Sequence, residues 1–174
     1  MTPKVTNNFI TEAERQALKL WAEKAPLNVR NQPDHLLSRP QNKNRLPTSG
    51  YRKSEFIHSD DGPAEFYTIQ QRMIEQFGLG DRIPTHKRKG KVIMHYADSE
   101  TPEHIDFAAH MGPGYFRTSI IVQNADEGGK LIWNGKEYDA PERSCISWDS
   151  SISHSVSRIT SGTRIVFVYG WKDQ

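Results

Sequence analysis

The stretch RIVFVYGW, residues 164–171, decides the fold class. Its apolar residues do not alternate with polar ones, so both faces of a strand here are predicted to be covered. One face would line the interior of a barrel, and the other would pack against helices. Arg164 opens the strand, and a guanidinium buried on both sides needs an anion, because burying an unpaired charge is very costly. The alternative is that Arg164 lies at the strand entrance with its charged end in water.

Further segments of the C-terminal half have the composition of strands. They are short, β-branched and aromatic, and Gly, Pro, Asp and Ser separate them at the spacing of an all-β sandwich or barrel. Together with the last strand they are KVIMHYA, GYFRTSIIVQN, GKLIWNG, SCISWD, SHSVSRI and TRIVFVYGW. Two helices are predicted before them in the chain. The predicted fold is therefore a β-sandwich with helices packed on one face.

The N-terminal helices have recognisable boundaries. Thr11 and Glu14 form a capping box at the start of the first helix, which should end before Pro26. Its apolar face is predicted to carry Ala13, Ala17, Leu18, Leu20 and Trp21. The second helix is predicted from Pro63 or Ala64 to Phe77. The region between them, residues 26–53, shows no sustained period, which is typical of a lid or a mobile segment.

Length and composition indicate one soluble domain. The chain has 174 residues and a mass of 19.9 kDa, enough for a single hydrophobic core. Residues 1–90 are predicted to be a support region of helices and loops, and residues 91–174 the β core. No apolar run approaches membrane-spanning length and no secretory signal is evident, so a cytoplasmic location is expected. Residues 1–91 are basic, but an ordinary solvated surface explains this better than a nucleic-acid partner.

Any metal site in this chain must use histidine and carboxylate ligands. Cys145 is the only cysteine, which excludes an internal disulfide and a thiolate cluster, and it reads as a small buried apolar residue. In EHIDFAAH, residues 103–110, a strand would place His104 and Asp106 on the same face. That geometry suits a divalent metal, but it suits a hydrogen-bonded pair equally well.

His154 is the best candidate for a third ligand. It lies in the strand-like SHSV near the chain end, where an antiparallel partner can return beside the first strand. Two histidines and one carboxylate on one triangular face are the arrangement used by non-haem Fe(II) oxygenases. His110 is the main competitor for the first position, but no carboxylate lies two residues from it.

These residues resemble the Fe(II)/2-oxoglutarate-dependent oxygenases, and within them the prolyl-4-hydroxylase-like branch. That family shows H-x-D, a distal His about fifty residues on, and about ten residues later an Arg or Lys that binds the cosubstrate. Here these are His104-Ile105-Asp106, His154 and Arg164, and the resemblance covers roughly residues 90–171, about half of the chain. Other matching features are Tyr96, RTSIIVQN, DEGGKLIW, WDSSISHSV and GTRIVFVYGW.

The resemblance implies a double-stranded β-helix, a cupin-like jelly roll with Fe(II) at one open end. It makes His104, Asp106 and His154 the iron ligands. It also implies that Arg164 binds the far carboxylate of 2-oxoglutarate through two hydrogen bonds, with one more from Tyr96. The implied reaction consumes O2, converts 2-oxoglutarate to succinate and carbon dioxide, and hydroxylates a C–H bond, with ascorbate as a possible supporting reductant.

Substrate contacts are harder to assign from the sequence. Arg117 is a candidate by resemblance, although a cross-strand salt bridge is the simpler interpretation. Trp171 is a weaker candidate, because strand aromatics usually pack in a core. The branch favours a peptidyl residue of a peptide or protein, proline first. The short chain keeps a free amino acid or another small metabolite as an alternative.

Two other classes of function stay open at this point. Nucleic-acid demethylases typically carry a second arginine six residues after the cosubstrate arginine, whereas this chain has Gly170 there. Nucleic acid is therefore not the expected partner. A cupin-like ligand-binding module without activity is the non-enzymatic alternative. The oligomeric state does not follow from the sequence.

Overall fold

The structure, a computed structural model, describes residues 2–25, 28–31, 51–58, 61–79, 82–84, 88–106 and 116–173. Two helices are α1 (Glu12–Lys24) and α2 (Ala64–Phe77). The strands before residue 100 are β1 (Lys4–Thr6), β2 (Asn28–Asn31), β3 (Tyr51–His58), β4 (Arg82–Pro84) and β5 (Arg88–His95). The later strands are β6 (Thr101–His104), β7 (Phe116–Gln123), β8 (Leu131–Trp133), β9 (Lys136–Tyr138), β10 (Cys145–Asp149), β11 (His154–Val156) and β12 (Arg164–Asp173).

The strands form two antiparallel sheets. The larger has the order β1-β10-β7-β12-β5-β3-β2, with β4 paired to the end of β12, and the smaller has the order β6-β11-β8-β9. Neighbours in space are mostly distant in sequence, which is the strand arrangement of a jelly roll. No helix in the described parts of the chain is long and apolar enough to cross a bilayer.

Strand β12 is covered on both faces, as its sequence predicts. One set of alternate residues packs with the helices in a core cluster, and this set is Ile165, Phe167, Tyr169 and Trp171. The other set, Val166 and Val168, lies in a second cluster with residues of the smaller sheet such as Leu131 and Trp133. The helices therefore cover the outer face of the larger sheet, while its inner face lines the interior between the sheets.

The predicted helix boundaries are confirmed. Thr11 accepts a hydrogen bond from the Glu14 N–H at 3.2 Å, and the Glu14 carboxylate accepts from the Thr11 N–H at 2.7 Å, which completes the capping box. Helix α2 ends at Gly78 in the left-handed conformation. One detail differs: Leu20 is 52% exposed, so the buried face of α1 is narrower than predicted.

The first half of the chain contributes more strand than its sequence indicates. Strands β1, β2, β3 and β4 all lie within residues 1–90, the region predicted to hold only helices and loops. Strand β2 also falls inside the 26–53 region interpreted as a lid or mobile segment, of which residues 32–50 lie outside the described residues. Segments such as NVRN and YRKSEFIH are too polar to be recognised as strands from the sequence. They become strands by pairing, β3 with β5 and β2 with β3.

Glycine is required for different structural reasons at two positions near the smaller sheet. Asn134 and Gly135 both have positive φ and form the two-residue turn between β8 and β9, as a type I′ hairpin requires. Gly128 has a φ of +79°, and a Cβ there would lie 1.9 Å from the carbonyl oxygen of Arg158. This close approach holds the loop before β8 against the segment that follows β11.

Gly128→Ala is therefore expected to destabilise the protein by at least about 2 kcal/mol, because backbone strain adds to a clash with main chain. Gly135→Ala is the matched control, since its φ of +75° is similar but nothing lies within 4 Å of the added Cβ. Urea unfolding of the two variants measures the difference. Equal losses of stability would show that the close approach at Gly128 contributes nothing beyond its φ.

Candidate metal centre

Two paired strands bring the predicted metal ligands together. His104 ends β6 and His154 begins β11, and these two residues are directly opposite each other in the antiparallel register. Asp106 follows β6 by two residues, and its N–H donates a hydrogen bond of 2.8 Å to the Ser150 carbonyl. The three side chains thus converge although fifty residues of sequence separate the first from the last.

The three side chains have the geometry of a metal site. Nε2 of His104 lies 3.6 Å from Oδ1 of Asp106, and Nε2 of His154 lies 3.8 Å from Oδ2 of Asp106. The ligand atoms all lie within 4.8 Å of one another, and this is the one such cluster found in the described part of the chain. Two nitrogens and one carboxylate surround a single point, as a 2-His-1-carboxylate site requires.

Backbone contacts orient both imidazoles towards that point. Nδ1 of His104 is 2.7 Å from the Pro102 carbonyl, and Nδ1 of His154 is 2.9 Å from the Ile152 carbonyl. A carbonyl only accepts, so each Nδ1 carries the proton and each Nε2 keeps a lone pair. Metal-binding histidines generally donate their other N–H in this way.

The electrostatics of the cluster also favour a cation. Burial alone would raise the pKa of Asp106, but the positive charge of Arg117 and the contacts with His104 outweigh it, and the pKa lies well below its usual value. Burial, together with the neighbouring His104, lowers the pKa of His154 to about 4. At neutral pH Asp106 is therefore an anion and His154 is a neutral ligand, so the contact between them is not an ion pair.

The cluster opens into a cavity of about 260 Å³ between the two sheets. Strand β12 contributes Arg164, Val166 and Val168 to its wall, on the face turned away from the helices. The remaining wall, besides the three clustered side chains, consists of Lys91, Ile93, His95, Thr101, Arg117, Ser119, Leu131, Ile146, Trp148, Ser155 and Val156. A small ligand in this cavity can contact the cluster and Arg164 together.

Arg164 is buried in this wall without a counter-ion. Its side chain is 6% exposed, its buried Nε has no hydrogen-bond partner, and no ion pair of Arg164 is found among the described residues. Burial lowers its pKa to about 10, so the guanidinium is still charged at neutral pH. The alternative of a charged end in water is therefore wrong, and the predicted need for an anion stands.

Arg117 lies beside the cluster and contacts one of its members. Its Nε donates a hydrogen bond of 2.8 Å to Oδ2 of Asp106. Arg117 therefore forms a salt bridge, as the simpler of the two sequence interpretations has it, but its partner lies in the loop after β6 of the other sheet and not on a paired strand. The substrate contact suggested by resemblance stays a prediction.

The cosubstrate contact predicted for Tyr96 stays a prediction. Tyr96 packs against the core between the sheet and the helices, and its hydroxyl points towards the Met94 sulfur at 4.0 Å. His95, the neighbour of Tyr96 in the chain, lies opposite Arg164 in register and lines the cavity with it. Its Nε2 lies 3.1 Å from Oγ1 of Thr101.

The tryptophans divide between the two faces of the larger sheet. Trp171 is fully buried, and its indole N–H donates to Oγ1 of Thr118 at 3.1 Å. This placement in the helix-side core fits the packing role expected of a strand aromatic, and the contact of Trp171 with substrate stays a prediction. Trp148 instead lines the cavity, with its ring centroid 6.0 Å from that of His154. Cys145 is buried, as expected, and burial raises the pKa of its thiol.

Several residues that line the cavity could not be identified from the sequence. Lys91, His95 and Thr101 line it but belong to no motif, and Trp148 belongs to the WDSSISHSV segment without a role predicted for it. Their shared feature is that they lie on the same face of their strands as Arg164 or the histidines, which requires knowledge of the pairing register. The competing His110 lies outside the described residues.

Comparison with solved structures identifies the fold. A viral collagen prolyl hydroxylase from Paramecium bursaria Chlorella virus-1, in complex with 2OG, matches with a TM-score of 0.70 at 10% identity, covering 100% of this chain and 97% of its own. A 2OG-Fe(II) oxygenase family oxidoreductase from Burkholderia pseudomallei matches with 0.70 at 13% identity, covering 98% and 84%. The chain has the fold of a 2OG-Fe(II) oxygenase. The predicted double-stranded β-helix is thereby confirmed.

A third structure with this fold was solved with a small molecule bound. HygX from Streptomyces hygroscopicus, with nickel, 2-oxoglutarate and hygromycin B bound, matches with a TM-score of 0.67 at 10% identity, covering 99% of this chain and 83% of its own. Neither a family model nor a curated protein matches the sequence. At these identities the likeness defines the fold, and the chemistry must be argued from the side chains.

Proposed function

We propose that this protein is an Fe(II)- and 2-oxoglutarate-dependent dioxygenase that hydroxylates a C–H bond of a peptidyl residue, proline first. One observation carries the proposal: a single cavity holds both a 2-His-1-carboxylate cluster and a buried arginine that lacks an anion. A non-enzymatic cupin-like module needs neither of these features. Their combination is what a metal-chelated dicarboxylate cosubstrate requires.

The residues present fit Fe(II). His104 and His154 offer neutral Nε2 atoms whose orientation is fixed by backbone carbonyls, and Asp106 offers an anionic oxygen. Three protein ligands leave coordination positions for other molecules. When bound, the iron supplies the redox chemistry that activates O2, while the protein supplies position, charge and exclusion of side reactions.

The residues present also fit 2-oxoglutarate. Arg164 presents a planar donor group that matches a carboxylate in two-pronged geometry. The apolar wall formed by Ile93, Val166 and Val168 suits the methylene groups of a short dicarboxylate. Binding of the far carboxylate would give Arg164 the counter-ion that its burial demands.

A peptide is the first substrate candidate because of the motif spacing and the likeness to a prolyl hydroxylase. A small molecule is the second, favoured by the structure of HygX with hygromycin B bound in the same fold. A peptide hydroxylase and a small-molecule hydroxylase would use the same metal and the same cosubstrate. They would differ only in the substrate that binds at the open side of the cavity.

Anaerobic addition of Fe(II) and then 2-oxoglutarate to the purified protein tests the first part of the proposal. The expected result is the weak visible charge-transfer band of a 2-oxoglutarate chelate, because the cluster leaves room for two further oxygen ligands. Succinate added in place of 2-oxoglutarate is the control, since it lacks the keto group. No band from iron-loaded protein would refute the proposal.

Substrate screening tests the second part. The protein is incubated with Fe(II), 2-oxoglutarate, ascorbate and O2, with either proline-containing peptides or free amino acids and other metabolites. Stimulated succinate release together with the gain of one oxygen atom, measured by mass spectrometry, identifies the substrate class. Turnover of free amino acids but not of peptides would replace the first candidate with the second.

A further inference from the structure

We propose that Arg117 is a positioning residue that fixes which oxygen of Asp106 can bind the metal. The inference rests on the proposed function, since it concerns the same metal site. Its basis is the hydrogen bond of 2.8 Å from Nε of Arg117 to Oδ2 of Asp106. This contact restrains the carboxylate from outside the ligand set.

The larger sheet places Arg117 at the correct point for this contact. In register, Arg117 of β7 lies between Trp148 of β10 and Gly170 of β12. Gly170 has no side chain, so nothing from β12 competes with Arg117 on that side. Trp148 on the other side lies against the ring of His154. Arg117 is thus set beside the cluster by strand pairing rather than by a loop.

The two Asp106 oxygens have different surroundings. Oδ1 lies 3.6 Å from Nε2 of His104, whereas Oδ2 lies 3.8 Å from Nε2 of His154 and also accepts the Arg117 bond. Because Oδ2 already accepts this bond, Oδ1 is the oxygen left to bind the metal. Binding through one oxygen, rather than two, leaves an extra coordination position for cosubstrate or O2.

The hydrogen bond between Arg117 and Asp106 is partly buried. The side chains of Arg117 and Asp106 are 23% and 16% exposed, so solvent screens this pair less than a surface pair. A charge-assisted hydrogen bond to a ligating carboxylate belongs to the outer contacts whose loss typically lowers metal affinity about 10- to 100-fold.

The positive charge of Arg117 and its hydrogen bond to Asp106 have opposite effects on metal affinity, so the test must separate them. Removing a cation beside a divalent metal raises metal affinity by relieving repulsion, while losing the hydrogen bond lowers it. Arg117→Gln and Arg117→Met are both uncharged. In glutamine, the amide nitrogen is bonded to Cδ, in the position of the arginine Nε, so it keeps the donor. Methionine has no donor, and the difference between these variants isolates positioning.

Co(II) binding to the metal-free protein, followed by calorimetry and by the visible d–d spectrum, provides the measurement. We expect R117M to bind Co(II) at least about 10-fold more weakly than R117Q, with a changed d–d intensity that reports an altered coordination number. The same pair of substitutions at Arg158, which is bonded to Asp98 at 2.8 Å on the surface, should change neither readout. Thermal melting of the metal-free variants checks folding, and R117L serves as a second variant without a donor.

The possible results distinguish failure of the proposed function from failure of the positioning role of Arg117. If the wild-type protein itself binds no Co(II), the proposed function fails. If the wild type binds Co(II) but R117M and R117L match R117Q in affinity and spectrum, only the positioning role fails. In that case, a raised KM for the primary substrate in R117Q would assign Arg117 to substrate contact instead.

Discussion

Arg164→Met is expected to abolish 2-oxoglutarate binding and, at the same time, to raise the melting temperature of the unliganded protein. The two effects have one cause. Arg164 is 6% exposed, its Nε has no hydrogen-bond partner, and none of the residues that the structure describes forms an ion pair with it, so its charge lacks compensation from them until a carboxylate binds. Replacing such a group by an apolar side chain of similar length stabilises the empty protein.

The loss of cosubstrate affinity should be large. Removing one member of a buried, hydrogen-bonded charge pair typically costs about 2–5 kcal/mol, so the dissociation constant for 2-oxoglutarate should rise at least about 30-fold. Calorimetric titration of the Zn(II)-loaded protein measures it without turnover. Zn(II) affinity itself should be unchanged, because Arg164 is not among the clustered ligands.

Arg158→Met is the matched control for this experiment. Arg158 is paired with Asp98 at the surface, with side chains 52% and 70% exposed, and exposed pairs contribute little to stability. It should leave both the melting temperature and 2-oxoglutarate binding unchanged. Retention of wild-type 2-oxoglutarate affinity by Arg164→Met would instead favour a binding module whose ligand does not use Arg164.

Asp106→Ala is expected to remove metal binding from a folded protein. The substitution takes away the anionic member of the cluster and leaves the Arg117 guanidinium beside two histidines without a carboxylate. Both changes disfavour a divalent cation, so metal affinity should fall by more than about 100-fold, the upper range for loss of an outer contact alone. Calorimetry with Fe(II) under anaerobic conditions, or with Co(II), measures the loss.

Asp139→Ala provides the control, because Asp139 is an exposed aspartate that lies outside the metal cavity. Circular dichroism and melting of the metal-free proteins separate loss of ligation from loss of fold. Unchanged Fe(II) affinity in Asp106→Ala would show that His104 and His154 do not share a metal with this carboxylate, and the proposed chemistry would have no centre.

The sequence was sufficient where a local pattern reflects a local physical requirement. The capping box at Thr11 and Glu14 starts a helix because it satisfies backbone donors within one turn. The uninterrupted apolar run after Arg164 requires cover on both faces of a strand, and the structure has the helices on one side and the smaller sheet on the other.

The sequence was insufficient where the answer depended on which strands pair, and in which register. Tyr96 and His95 are adjacent, so they face opposite sides of the sheet, and a shift by one residue exchanges their roles. The pairing of His95 with Arg164 places His95 on the cavity side of the sheet. This orientation cannot be inferred from the chemistry of either side chain. Trp171 lies in the helix-side core for the same reason.

The sequence by itself determined the two helices and the apolar strands of the β core, the candidate ligand set His104, Asp106 and His154, and the need of Arg164 for an anion. These follow from side-chain chemistry and from the periodicity of helix and strand. Only the tertiary structure decided that polar segments such as β2 and β3 are strands, that His95 shares the cavity with Arg164, and that Arg117 restrains Asp106. These depend on contacts between residues far apart in the chain, whose register is fixed by the packing of the whole sheet.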